Sequence, residues 1–172
     1  ASRSYDHVLP GVHLRYDFSK QLVGRASYSQ SLVRPAFAET AIFRNVLDND
    51  TEVESGNPAL AALESRNFDA SLEYYLPSLG VLSAGVFHKR IENFSYAVTI
   101  PNGDASLPGY DLITFRNGSD GEVSGLELGY QQQLRMLPAP FDGLGLMANL
   151  TLVDSEATYP TRPGETLPFI GQ

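Results

Sequence analysis

The stretch Ser71–Phe87, SLEYYLPSLGVLSAGVF, decides how this chain is read. Leu72, Tyr74 and Leu76 alternate with Ser71, Glu73 and Tyr75. After the turn signal PSLG, Leu82, Ala84 and Val86 alternate with smaller or polar residues. A period of two is that of a β-strand, whose successive side chains point to opposite faces. The stretch is therefore a hairpin with one apolar and one polar face, and the fold turns on what the apolar face meets.

The same alternation recurs along the chain. It is present in Val12–Phe18, in Leu22–Ser29, from about Arg66 to Leu76, in Leu126–Gln131 and in Leu144–Val153. Val81–Phe94 is also a strand, but its facing stays open, because Phe87 and Ile91 fall opposite Leu82, Ala84 and Val86. Helical periodicity is nearly absent, so helix is expected for at most a turn or two, in Ala36–Asn45 or Ala59–Ser65. The 172 residues could bury a sizeable single core. A net charge of −8 argues against a nucleic-acid groove, which needs clustered Lys and Arg. With no cysteine there is neither a disulfide framework nor a thiolate metal site. No apolar run reaches the roughly 20 residues of a membrane-spanning helix. The opening, ASRSYDHVLPG, lacks the basic start and apolar core of a signal sequence. The chain is then either cytosolic or an excised piece of something longer.

The connections carry more information. SKQ, PSLG and RMLPAPFDG are short or compact. Val33–Ser65 and the segment from TIPNGDASLPGYDLI to about Gly121 are long, and TYPTRPGETLP begins another excursion. In a meander, alternate connections lie at opposite ends of the strands, so one rim has tight turns and the other long loops. Transmembrane β-barrels sort their connections in this way. Strands of 9–11 residues also suit a tilted crossing, and Phe18, Tyr28, Tyr74, Tyr75 and Tyr130 sit near strand ends, where an aromatic girdle belongs.

Energetics fix the facing. Were the His13/Arg15/Asp17 side to meet lipid, Arg15, Arg25, Asp69 and Glu73 would enter hydrocarbon. A basic residue at the midplane costs about 2–4 kcal/mol, so the sum would rival the stability of a domain. The Leu, Ala, Val, Gly and Tyr face is therefore expected to meet lipid. Arg15, Arg25, Glu73, Glu127 and Gln131 are expected to line a wet lumen, in salt bridges or in hydrogen bonds to whatever fills it.

The segments LPGVHLRYDFSKQLVGRASYSQSLVRPAF, SGNPAL, FDASLEYYLPSLGVLSAGVFHKRIENF and GEVSGLELGYQQQL, followed by LPAPFDGLGLMANLTLVDS, occur in this order along nearly the whole chain. Together they resemble the barrel region of a TonB-dependent outer-membrane receptor. The resemblance implies an all-β antiparallel meander, an open portion of a 22-stranded type of transmembrane barrel. Residues 1–172 would supply about six to seven strands from its C-terminal part, with plug and last strands absent. It implies the outer membrane of a Gram-negative bacterium and TonB-energised uptake of a bulky, scarce nutrient: a siderophore, cobalamin or an oligosaccharide. The implied partners are outer-membrane lipid, the receptor's own plug and remaining strands, and the TonB complex through the N-terminal part. As a fragment, the sheet is expected to leave Val12–Phe18 unpaired with Leu144–Val153. The competing readings are a soluble β-sandwich ligand- or carbohydrate-binding module, whose apolar face would pack on a second sheet, and a structural or adhesive barrel.

Specific chemistry is sparse. His7, His13 and His88 lack ligand spacing, so no metal site is expected, and no cofactor. DNDTEVE (Asp48–Glu54) has the carboxylates of a hard-cation loop without the spacing of an EF-hand, and reads as a solvated acidic loop. NGSDGE (Asn117–Glu122) and SGNPAL read as turns, the first with Asn and Gly supplying positive φ. The acceptor triplets at Asn49, Asn93, Asn117 and Asn149 are read as chance matches. Nothing resembles a nucleophile elbow, and no catalytic residue is assigned. Ligand contact is expected in the first long loop, where Arg34, Phe37, Phe43 and Arg44 combine cations and aromatic rings.

Overall fold

The structure, a computed structural model, describes residues 7–47, 51–161 and 166–167. Asp48–Asp50, the first half of the acidic stretch and the site of the Asn49 triplet, lies outside the described residues. In chain order the elements are β1 (Gly11–Asp17), β2 (Leu22–Val33), α1 (Phe37–Thr40), β3 (Arg44–Leu47), β4 (Glu52–Ser55), β5 (Leu63–Leu76) and β6 (Gly80–Glu92). They continue with β7 (Ser95–Ile100), β8 (Asp111–Asn117), β9 (Asp120–Gln133), a 3-10 turn at Phe141–Gly143, β10 (Gly145–Thr158) and β11 (Thr166–Leu167). Among the described residues no helix is long and apolar enough to cross a membrane.

Seven strands form one antiparallel sheet in the order β1-β2-β5-β6-β9-β10-β11. β1 and β10 are not neighbours, so the sheet is open, as expected of a portion of a larger barrel. The strands β5, β9 and β10, at 14 residues each, exceed the usual 5–6 of soluble proteins. The last alternating segment, expected to end at Val153, continues to Thr158. The helical expectation is met by α1 alone; Ala59–Ser65 contains a turn and the start of β5.

The chain divides into two compact units, one of Ala1–Ser31, Arg66–Arg90 and Glu122–Glu156, the other of Leu32–Ser65, Ile91–Gly121 and Ala157–Gln172. In the first, β1 and β2 pair with Val12 opposite Tyr28, Leu14 opposite Ala26 and Tyr16 opposite Gly24. His13/Ser27 and Arg15/Arg25 occupy the other face. The tight turns close with side chains. Ser19 Oγ accepts from the amides of Gln21 and Leu22 at 3.1 and 3.0 Å, and the Gln132 side-chain amide donates to the Ser78 carbonyl.

The second unit holds what the alternation did not show. The long connections are not structureless: β3, β4, β8 and β7 form a four-stranded sheet in that order. β3/β4 and β7/β8 are antiparallel hairpins, and β4 joins β8 in parallel, with Val53 opposite Leu112. The acidic stretch read as a loop therefore becomes strand from Glu52 onward. Val53, Leu60, Ala62, Phe94, Val98 and Ala157 are the buried apolar residues of this unit among the described residues. SGNPAL is more than a turn: Asn57 Nδ2 donates to the Phe115 carbonyl at 2.9 Å, its Oδ1 accepts from Ala59 N at 2.9 Å, and its own amide donates to the Glu39 carbonyl at 2.6 Å. Asn117 works similarly, accepting from Ala61 N and donating to the carbonyls of Ala61 and Asn93.

The reading of Asn117–Glu122 by positive φ does not hold. Among the described residues the one glycine with positive φ is Gly109. Gly118 is glycine for lack of room, since a Cβ there would lie 2.1 Å from the Phe94 ring. Gly118→Ala is expected to lower stability by about 1–3 kcal/mol through overpacking, read from chemical unfolding of the protein. Gly143→Ala, where a Cβ meets nothing within 4 Å, should stay within about 0.5 kcal/mol of the parent.

Candidate functional site

The two faces of the seven-stranded sheet differ chemically. On one, Arg15 lies directly across from Arg25, a like-charge pair that destabilises an antiparallel ladder. Acids on the same face resolve it. Arg15 Nε is 3.0 Å from Asp17 Oδ1, and Arg25 is 3.1 Å from Glu73 Oε1 and 3.3 Å from Oε2. Tyr75 donates its hydroxyl to Glu73 Oε2 at 2.7 Å. Tyr75 thus belongs to the charged face and not to an aromatic girdle, because it shares the odd parity of Glu73. The Arg25 side chain is 42% exposed, so solvent screens the pair and it serves chiefly to orient the two groups.

The same face carries a hollow lined by His13, Arg15, Arg25, Asp69, Lys89 and Glu127, among others. Ser27 Oγ donates to Asp69 Oδ2 at 3.2 Å, and Lys89 Nζ lies 5.8 Å from the centre of the Phe87 ring. Sequence reasoning placed Arg15, Arg25, Asp69, Glu73 and Glu127 on this face and passed over Lys89. Parity points to it once Phe87 is placed, since Lys89 is one two-residue step from that ring. Gln131 lies further along β9, exposed, beside a second hollow that includes Arg135 and Asp142.

The facing left open for the sixth alternating segment is now decided. Leu82, Ala84 and Val86 are exposed on the apolar side. Phe87 turns to the charged side, over Gly125, where a Cβ would come within 2.4 Å of its ring. The apolar side is continuous. Leu14, Ala26, Leu72, Ala84, Val86 and Leu126 line one shallow hollow of it, and Tyr74, Leu82, Leu128, Tyr130 and Leu150 line another. Rings gather near its ends: Tyr28 and Phe68 are 4.8 Å apart, His88 is 6.4 Å from Phe68, and Tyr16 meets Phe18 edge-on at 4.8 Å. His88 therefore lies on the apolar side, its Nδ1 2.8 Å from Ser124 Oγ. Leu72, Val86, Leu146 and Leu150 remain about half exposed, and no second sheet covers them within this unit. A β-sandwich would have buried them.

The candidate ligand residues of the first long connection divide. α1 is set by Glu39, whose Oε2 accepts from Ala36 N at 3.3 Å and from Ser95 Oγ at 2.9 Å. It presents Phe37 to solvent, 86% exposed. Arg34 and Phe43 are exposed as well. Ile42, 84% exposed, was missed, because an isolated isoleucine in a loop carries no motif. Arg44 is not open to a ligand in this way. Its guanidinium holds Asp104 with two hydrogen bonds, 2.7 and 3.2 Å, linking the two long connections. Asp104 Oδ1 also accepts from the amides of Ser106 and Leu107, both at 2.8 Å. The Arg44 guanidinium, reinforced by those amides, holds the Asp104 carboxyl below the ordinary aspartate range. Among the described residues no group of three potential ligands could hold a metal.

Comparison with known proteins gives three findings. Residues 1–171 match the family model described as TonB dependent receptor-like, beta-barrel. No curated relative matches the sequence. Among solved structures, the siderophore receptor PirA from Pseudomonas aeruginosa is similar at a TM-score of 0.61 and 14% identity, over 90% of this chain and 31% of that one. The ferric enterobactin receptor PfeA from Pseudomonas aeruginosa, in a mutant complex with enterobactin, gives 0.63 and 18%, over 84% and 22%. The Serratia marcescens hemophore receptor HasR, in complex with its hemophore HasA and heme, gives 0.52 and 15%, over 87% and 29%. This chain spans less than a third of the length of these structures, and at such identities the likeness is one of fold.

The Asp104 shift sets a pH dependence. A carboxyl lowered on folding contributes stability that is present above its unfolded value, about 3.9, and lost as pH falls through the folded value. Protection of the amides in β3 and in residues 101–110, measured against their intrinsic exchange rates, is expected to fall below about pH 4 in the parent. Asp104→Asn should be less protected at neutral pH and lack that acid step.

Proposed function

Because the chain belongs to the TonB-dependent receptor β-barrel family, we propose that it works as part of an outer-membrane active-transport receptor of a Gram-negative bacterium, taking up a bulky, scarce nutrient with TonB-supplied energy. A ferric siderophore is the substrate class we favour, and the similar folds of PirA and PfeA support that choice. The observation that carries the reading is one sheet with an uncovered apolar face on one side and Arg15, Arg25, Glu73, Lys89 and Glu127 on the other. Water and lipid on opposite sides of a single layer is the arrangement that stabilises both faces.

Each set of residues takes a role in this reading. The apolar face meets outer-membrane lipid. Arg15, Arg25, Glu73, Glu127 and Gln131 face the lumen and offer hydrogen bonds to the plug, which couples to TonB. Arg34, Phe37 and Phe43 touch the ligand, since aromatic faces and a cation suit an anionic, ring-bearing chelate. Arg44 is a positioning residue: through Asp104 it holds the two long connections together. The work is transport, not catalysis. Heme is a second substrate reading, favoured by the likeness to HasR.

The test is uptake of radiolabelled ferric siderophores by cells in which this receptor is the only route. Uptake is expected to stop when the proton gradient is dissipated; gradient-independent uptake overturns the energised reading. Arg34→Ala combined with Phe37→Ala should weaken binding roughly tenfold, which is about 1.4 kcal/mol, at an unchanged level of receptor in the membrane. Unchanged affinity removes these residues from the site.

A further inference from the structure

Two connections at the same end of the sheet are tied to each other. Gln132, almost fully buried, accepts from Ser78 Oγ at 3.0 Å and donates to the Ser78 carbonyl. Gln133 N donates to the Leu79 carbonyl at 3.2 Å. Leu79 sits at φ 61°, a left-handed conformation that costs a side-chain-bearing residue roughly 1–2 kcal/mol and that Gly or Asn adopts more easily. Its side chain is nevertheless 56% exposed. An apolar residue both strained and uncovered gains nothing from water at that position.

The partner connection, residues 134–144, repeats the pattern. Four backbone hydrogen bonds fix its course: Leu134 N to Leu144 O, Leu137 N to Leu134 O, Phe141 N to Pro138 O and Leu144 N to Phe141 O, all 2.8–3.1 Å. On this ordered frame Met136 is 66% exposed and Phe141 55%. Arg135 is exposed beside them. The connection between β1 and β2, at the same end, is Phe-Ser-Lys-Gln, with Phe18 also 59% exposed and the other three residues hydrophilic. Residues 134–144 run directly into Leu144 and Leu146, each 51% exposed, so the loop prolongs the apolar surface past the end of the strands.

We propose that Leu79 and residues 134–144 form a foot that seats in the phospholipid leaflet at the turn end of the barrel. Met136, Phe141 and Leu79 enter the boundary between headgroups and acyl chains, and Arg135 reaches the lipid phosphate. Continuity with the apolar face and the adjacent cation make phospholipid the occupant, since amphipathic and aromatic side chains concentrate at that depth. The inference rests on the membrane reading above.

The test places a fluorescent reporter at each depth. The present 172 residues contain no tryptophan, so Phe141→Trp, Met136→Trp and Val86→Trp each add one indole, read as the difference from the parent receptor in phosphatidylethanolamine/phosphatidylglycerol vesicles. Phe141→Trp and Met136→Trp should be quenched at least twofold by lipids brominated near the carbonyl end of the acyl chain, and weakly by aqueous iodide. Val86→Trp should be quenched most by lipids brominated deeper. Iodide quenching at 136 and 141 without bromine quenching, with Val86→Trp still in lipid, overturns the foot alone. Shielding from both quenchers, the sign of a protein partner, also overturns it. Failure of bromine quenching at Val86→Trp overturns the membrane reading itself. Leu79→Asn relieves the backbone and should still lower resistance to urea in vesicles; a gain there counts against the foot.

Discussion

A backbone N–H or C=O without a partner in hydrocarbon costs several kcal/mol, and this constraint governs the whole seven-stranded sheet. It forces the crossing segments into a hydrogen-bonded ladder, and the ladder forces a two-residue period on the side chains. Once Leu72 and Leu82 are committed to one face, Glu73 and Ser83 have no choice of theirs. The charged face inherits a crowding problem from the same register. Arg15 and Arg25 are brought face to face because Leu14 and Ala26 must be, and Asp17 and Glu73 neutralise what the ladder imposes. Polar groups there are arranged around a geometry chosen by the apolar side.

The long connections escape that constraint and follow the rules of a small soluble domain. Their strands run 4–7 residues, the hydrophobic centre is a handful of side chains around Val53 and Phe94, and much of the cohesion is polar. Asn57 and Asn117 each satisfy several backbone groups that no strand reaches. A side-chain amide carries both donor and acceptor, so one residue substitutes for a stretch of ladder. Arg44 and Asp104 do the same across the two connections, with a planar fork matched to a carboxylate.

The parts of this structure legible in the sequence are those where one side is uniformly apolar. β1, β2, β5 and β10 declare themselves, because each alternating position reports the same boundary, and loop length sorts the two ends. Facing on β6 was not legible, since Phe87 reads as apolar while packing on the charged side over Gly125. Tyr75 misled for the converse reason: an aromatic ring near a strand end says girdle, and only its step from Glu73 says otherwise. β3, β4, β7 and β8 were hidden because they are short and their pairing is non-local. Gly118 illustrates a limit of composition: the residue is glycine on account of Phe94, twenty-four positions away, and nothing adjacent records it. The surroundings of the loop residues named for ligand contact were legible only in part. Phe37 stands exposed as an aromatic loop residue can, while the partner of Arg44 lies sixty residues on.

The parallel pairing of β4 with β8 bears on assembly and on descent. These strands come from two different excursions, separated by the whole of the β5–β6 hairpin, and a parallel pair cannot form from neighbours in sequence. Closing the small sheet therefore carries the loop-closure cost of a long separation in sequence. Heredity feels the same link. A change of length in the first excursion shifts the edge that the second must match, so the two cannot diversify independently. A change in the edge that β4 presents therefore has to be met by one in β8 if the small sheet is to stay paired.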